Sequence, residues 1–384
     1  MAQITGRRFD SNEPVQIEWC DGRIASIAPV AQALDHAAED VFLCPGLVDL
    51  QVNGFAGKNF GEPQLTIDDI AMVTRRLWQT GCTHFLATLI TDDVARMGAA
   101  LKGLCRAAEQ QELAGSILGF HLEGPYISEV DGPRGAHPRV HCKDPDWAEF
   151  CRLQDSAGGR IRLVTLAPER TGALPFIEKA TRQGIRIALG HTAADRQQIL
   201  DAVSAGASLA THLGNAAHDQ IQRHHNYIFD QLAEDRLWAS IIADGHHLPP
   251  QLVKIFWRTK GPDRTILISD LVHFGGMPPG VYDAGHCRVE VRSDGFIGVV
   301  DQPRLAGAGT PLLRGVENLV RFTGASFAQA VRAATVNPAG FLGIPDRLGQ
   351  LDAGHEASFI VVRWTATNQR ADVLQTIVAG KPVP

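Results

Sequence analysis

Short apolar runs alternate with amphipathic segments along most of this chain. Eight runs have strand length and β-branched or aliphatic character: residues 43–52, 83–90, 116–123, 160–167, 185–191, 207–213, 238–244 and 265–270. The segments between them carry the other period. In residues 68–81, Ile70, Val73 and Leu77 fall on one helical face; in residues 194–206, Ile199, Leu200 and Val203 do the same, and a glycine closes each segment. Strand and helix taken in turn eight times predict an α/β fold, a (β/α)8 TIM barrel, whose chemistry belongs at the C-terminal strand ends.

Two stretches break that rhythm. Residues 1–44 and 345–384 read as short alternating strands, too small to fold separately, so the two chain ends are expected to combine into a small β-sandwich domain beside a barrel spanning 45–344. A third β-like stretch, residues 287–300, follows the eighth run, and its Asp294-Gly295 pair predicts a hairpin turn.

At 384 residues the chain is long enough for this barrel and its companion. A net charge of −6 without a basic cluster excludes nucleic acid and anionic membrane surfaces as expected partners. Seven scattered cysteines (Cys20, Cys44, Cys82, Cys105, Cys142, Cys151, Cys287) lack CxxC spacing and suit a reducing compartment. No apolar run has signal-peptide or membrane-spanning length, so a cytoplasmic protein is expected.

The polar residues that end the apolar runs carry the chemistry. The third run stops at Glu123, the fifth at His191, the sixth carries His212 and the eighth stops at Asp270. A charge at such a position is costly unless partnered. One carboxylate and two imidazoles make a divalent-metal ligand set, and Asp270 supplies the further carboxylate that metal-assisted hydrolysis needs. Blander roles stay open: Glu123 paired to a structural arginine, His191 and His212 as core histidines, Asp270 as a helix N-cap.

These motifs together resemble the amidohydrolase superfamily, and within it the N-acetylglucosamine-6-phosphate deacetylases. The resemblance runs from PGLVDLQVNG through HLEGPY, VTLAPE, GHTAAD, THLGNAAH, ADGHH and ISD to ENLV, ATVNPA and VAGKPV. It implies one divalent ion per chain, zinc or else iron or another divalent ion, on Glu123, His191 and His212. Asp270 becomes the acid/base that takes a proton from the attacking water and returns it to the leaving amine. The Gly135, Ala136, His137 segment supplies a histidine that assists the carbonyl oxygen. Asn215, Ala216 and Arg223 are implied to hold a phosphate, the arginine reaching in from a neighbouring subunit, which implies a homodimer. His247 is implied to bind a sugar hydroxyl, with Asp244 and His246 lining the same turn, and Leu305, Ala306 and Gly307 to close over the sugar. The implied reaction converts a phosphorylated N-acyl amino sugar, N-acetylglucosamine 6-phosphate, to acetate and the amine.

Several positions depart from the pattern. Gln51 and Asn53 stand where two-metal relatives carry HxH; amides are poor zinc ligands, so the second position should be empty or hold water. The lesser alternative is that they are turn residues that never touch the site. Ala167, Pro168 and Glu169 end the fourth run with no lysine, which excludes a carbamylated-lysine centre. His224, His225 and Asn226 follow Arg223, and Leu271, Val272, His273 and Phe274 follow Asp270, in place of the usual residues. His137 and Arg223 could be solvated, and His218, His224 and His225 read as exposed loop residues without a role. The alternatives are therefore a deacylase of a related N-acyl sugar or other small amide, and a binding protein that kept the barrel without turnover.

Overall fold

The computed structural model describes residues 1–30, 40–284, 287–302 and 305–383. Eight parallel strands follow one another round a barrel: Leu47–Val52, Cys82–Ile90, Ile117–Glu123, Ile161–Leu166, Arg186–Leu189, Leu209–Ala210, Trp238–Ile241 and Thr265–Leu267. Seven of these fall within the apolar runs, and Cys82–Ile90 starts one residue before its run. The seam between the eighth strand and the first is closed just beyond Leu267, where Asp270 donates its backbone N–H to the Gln51 carbonyl and Asn53 donates to Leu271. The buried carboxylate of Asp49 spans the same seam, accepting from the backbone of Gln51 and of Ser269.

Inside the barrel, Val48, Leu50, Leu86, Leu163, Ala188, Leu209 and Ile266 pack into one cluster. Helices cover the outside. Ile67–Gln79 starts at a reciprocal Thr66/Asp69 capping box and buries Ile70, Val73 and Leu77; Arg196–Ala205 starts at an Asp195/Gln198 box and buries Ile199 and Val203, with Leu200 half-buried. The periodicity had selected these faces because one stripe of each helix must leave water.

The chain ends do pair. Among the described residues, seven strands form one hydrogen-bonded sheet in the order Lys381–Val383, Arg370–Val378, Phe359–Thr365, Val41–Pro45, Ala2–Arg8, Pro14–Cys20, Arg23–Pro29. The expected amino-terminal segment also runs through residues 31–39, which lie outside the described residues. His84 of the second barrel strand meets Glu356 at 3.1 Å, and Thr376 donates to the Trp78 carbonyl, so the sheet is tied to the barrel wall.

The hairpin around Asp294-Gly295 is present, with Arg288–Val291 antiparallel to Ile297–Val299 and Gly295 at φ +89°. A third strand, Gly280–Asp283, joins its other side. Leu305 bridges to Gly298 of this small sheet and Ala308 bridges to Leu271, so residues 305–308 link the hairpin to the end of barrel strand eight. Among the described residues no helix is long and apolar enough to cross a membrane.

Candidate functional site

Glu123 ends barrel strand three, and the chain kinks immediately after strands five, six and eight. His191, His212 and Asp270 all adopt left-handed backbone angles, φ +51°, +29° and +54°. Such angles are unfavourable for residues with a Cβ and concentrate where a structure holds a side chain for a task. Here the kinks turn three side chains toward one point. His191 Nε2 and His212 Nε2 lie 3.2 and 2.9 Å from Glu123 Oε1 and 3.1 Å from each other.

That cluster fits a divalent cation on its own chemistry. His191 Nδ1 lies 3.0 Å from the Pro133 carbonyl, which can only accept, so Nδ1 carries the proton and Nε2 presents a lone pair inward. It faces a second ring nitrogen and a carboxylate oxygen, an assembly of acceptors that calls for positive charge between them. Among the described residues, these three form the one group of His, Cys, Asp or Glu side chains close enough to share an ion. Burial opposes ionisation of Glu123, but the adjoining imidazoles of His191 and His212 hold its carboxyl well below the usual range. Burial also disfavours the charged ring of His212, yet Glu123 and Asp270 raise it above the ordinary imidazole value.

Gln51 and Asn53 do contact the site. Gln51 Nε2 donates to Glu123 Oε1 at 2.7 Å and to Asp270 Oδ1 at 3.0 Å, and Asn53 Nδ2 donates to Asp270 Oδ1 at 2.7 Å. The two amides therefore bridge the ligand carboxylate and the acid/base candidate, which overturns the alternative that they are idle turn residues. Both side chains point N–H donors, not lone pairs, toward the two carboxylates. Asp270 caps no helix. Its carboxyl is pushed up to about 7, first by burial and then by the Glu123 charge, with His212, His247 and Asn53 pulling the other way.

His137 is buried rather than solvated, with its ring 4.2 Å from that of His191 between centroids. The Thr91 backbone N–H donates to His137 Nδ1 at 3.3 Å, so this nitrogen is the acceptor and Nε2 carries the proton. Nε2 points into the site, 3.8 Å from Glu123 Oε2. Burial, aided by His191, holds the ring well below the ordinary imidazole value, hence neutral. A neutral N–H donor aimed into the site is what a developing oxyanion requires.

The outlying positions separate into two groups. Asn215 is held by its Nδ2 bond to the His212 carbonyl, and Ala216 adopts φ +48° beside it. Asp244 accepts from the backbone of His246 and His247 and meets His247 Nδ1 at 2.7 Å, which leaves the other ring nitrogen free to face a ligand. Leu305, Ala306 and Gly307 lie half-buried, with Gly307 at φ +112° and its Cα face against Val272. Arg223, His224 and His225 are exposed on the loop before the helix Tyr227–Ala233, and Ala136 is exposed as well. His218 differs from expectation: it is half-buried, its Nδ1 3.0 Å from the Tyr227 hydroxyl.

Glu169 escaped sequence reasoning. Its carboxylate accepts from the Thr192 hydroxyl and from the Ala193 backbone at 2.7 Å, clamping the turn that follows His191. The pairing crosses from one barrel strand to the next, and no spacing along the chain signals it.

Residues 42–383 match the amidohydrolase family. The chain is 33% identical to the N-acetylglucosamine-6-phosphate deacetylase of Bacillus subtilis (strain 168) over 94% of its own length and 90% of the relative's. It is 32% identical to the N-acetylgalactosamine-6-phosphate deacetylase of Escherichia coli O157:H7, over 90% of each. Among solved structures, N-acetyl-D-glucosamine-6-phosphate deacetylase from Mycobacterium smegmatis superposes with a TM-score of 0.88 at 30% identity over the whole of both chains. A mutant of that enzyme in complex with N-acetyl-D-glucosamine-6-phosphate gives 0.87 at 31% identity, covering 99% of this chain and 98% of the other.

Proposed function

The chain belongs to the metal-dependent amidohydrolase family, and we propose that its site deacetylates N-acetylglucosamine 6-phosphate, releasing acetate and glucosamine 6-phosphate. The observation that carries this reading is the meeting of Glu123 Oε1, His191 Nε2 and His212 Nε2 within 3.2 Å of one another, with Asp270 bridged to the same carboxylate through Gln51.

Glu123, His191 and His212 would hold a divalent ion, zinc in this reading, which when bound would supply a water of near-neutral pKa and polarisation of the amide carbonyl. Asp270 takes the proton of the attacking water and delivers it to the departing nitrogen, two transfers a single carboxyl performs when its affinity for protons lies near the working pH. Gln51 and Asn53 hold the Asp270 oxygen in place for both. His137 Nε2–H donates to the carbonyl oxygen as it gains charge. Asn215 and Ala216 contact the phosphate, joined by Arg223 from a second subunit, whose planar guanidinium suits phosphate oxygens. The exposure of Arg223 on a loop of its own chain is consistent with that donation, and with a homodimer. His247, oriented by Asp244, binds a sugar hydroxyl, and Leu305, Ala306 and Gly307 border the sugar. Seven free cysteines suit a cytoplasmic setting.

The near-equal similarity to an N-acetylgalactosamine-6-phosphate deacetylase supports a second reading, in which the sugar is the epimer. Acetate release from N-acetylglucosamine 6-phosphate, N-acetylgalactosamine 6-phosphate and the two unphosphorylated sugars separates the possibilities. The first compound is expected to have the highest kcat/KM; turnover of unphosphorylated sugars alone removes the assignment of Arg223. Metal analysis is expected to find one divalent ion per chain, whereas a protein without metal and indifferent to chelators is a binding protein.

A further inference from the structure

One step below the ligands, the barrel interior is polar. His121 lies two residues before Glu123 on the same face of strand three and is 1% exposed. Its Nε2 is 2.8 Å from the Thr165 hydroxyl of strand four, and Thr165 Oγ1 is 2.8 Å from the Thr211 hydroxyl beside His212. On the other side, His121 Nδ1 is 3.4 Å from Thr88 Oγ1, which in turn accepts from the Val52 backbone of strand one. Thr165 stands on strand four and Thr211 directly after strand six, and their contact passes over Gly190, directly after strand five. A Cβ built on Gly190 would lie 2.6 Å from Thr211 Cβ and 3.0 Å from Thr165 Cγ2, so any larger residue would force the two hydroxyls apart.

Aliphatic side chains fill the layer beneath, and at His121, Thr165 and Thr211 they would pack without any need for side-chain partners. Buried polar groups that satisfy one another fix relative positions in a way that apolar packing does not. From these contacts we infer that His121, Thr165 and Thr211 are positioning residues: their hydrogen-bonded chain, made possible by Gly190, sets the spacing of the strands that carry Glu123 and His212, and so sets how tightly the ligands close on an ion. The inference rests on the reading of Glu123, His191 and His212 as the ligand set.

Thr165→Val keeps the shape of the side chain and removes the hydroxyl that joins both halves of the chain; Thr211→Val removes its far end. Zn2+ affinity of the metal-free protein, measured by competition with a chromophoric chelator, is expected to fall about 10-fold or more in each. Thr165→Ser, which restores the hydroxyl, is expected to recover near wild-type affinity. The thermal midpoint of each metal-free variant is recorded alongside. If Thr165→Val and Thr211→Val bind Zn2+ as tightly as wild type, even with a lowered midpoint, the chain serves stability alone and the inference fails. Should either variant not fold, the other decides. A wild-type protein that binds no Zn2+ overturns the ligand set and this inference together; normal wild-type binding with unaffected variants overturns only the latter.

Discussion

In the proposed reaction Asp270 carries the proton without being a ligand of the ion. It lies beside Glu123 through Gln51 but is outside the three-atom cluster. Asp270→Asn should therefore keep the ion while kcat falls roughly 10²–10⁴-fold, the usual worth of a positioned proton carrier; elemental analysis and steady-state rates on one preparation check both. The same residue gives a pH dependence of definite sign. As the base it must be ionised, so kcat/KM falls as acidity protonates it. Its carboxyl sits at about 7 without the ion, whose positive charge lowers that value, so the acid limb lies below about 7 and vanishes in Asp270→Asn. Glu123, His191, His212 and Asp270 were legible because each interrupts an apolar run, a cost that demands a purpose. The bridging by Gln51 and Asn53, the tautomer set by Thr91 and the clamp by Glu169 were not, because each depends on a partner on another strand.

At the scale of elements, the barrel strands were readable as apolar runs because both their faces are buried, and the faces of Ile67–Gln79 and Arg196–Ala205 were readable from periodicity because one stripe must leave water. Gly280–Asp283 was not: three of its four residues are exposed, and its pairing with Arg288–Val291 leaves no apolar alternation to detect. One junction between elements makes its own prediction. Glu356, just before the strand Phe359–Thr365, meets His84 of the barrel and accepts from Ser358 and Arg347. Burial would raise its carboxyl, but these partners hold it at about 2. A depressed carboxyl stabilises the fold above its unfolded value near 4.5 and loses that contribution as pH falls toward about 2. Glu356→Gln should thus cost on the order of 2 kcal/mol near neutrality and little near pH 2, measured by denaturant unfolding at both.

For the whole molecule, strands three, five and six each bring a ligand to one point, so an ion there belongs to folding as well as to catalysis. Binding confined to the native state adds about 4 kcal/mol when free ion exceeds its dissociation constant 1,000-fold. Chelation should lower the thermal midpoint of wild type and leave that of a Glu123→Ala variant nearly unmoved, as calorimetry can test. The union of the chain ends was legible because neither fragment could stand alone; its order was not, since strand pairing across the length of the chain leaves no local mark. That order bears on synthesis. Val41–Pro45 acquires its neighbour Phe359–Thr365 only after the barrel between them has been translated. Until then a growing polypeptide offers an open strand edge to any other nascent copy nearby, and ribosomes that stall late on this message should yield aggregates rather than soluble barrels.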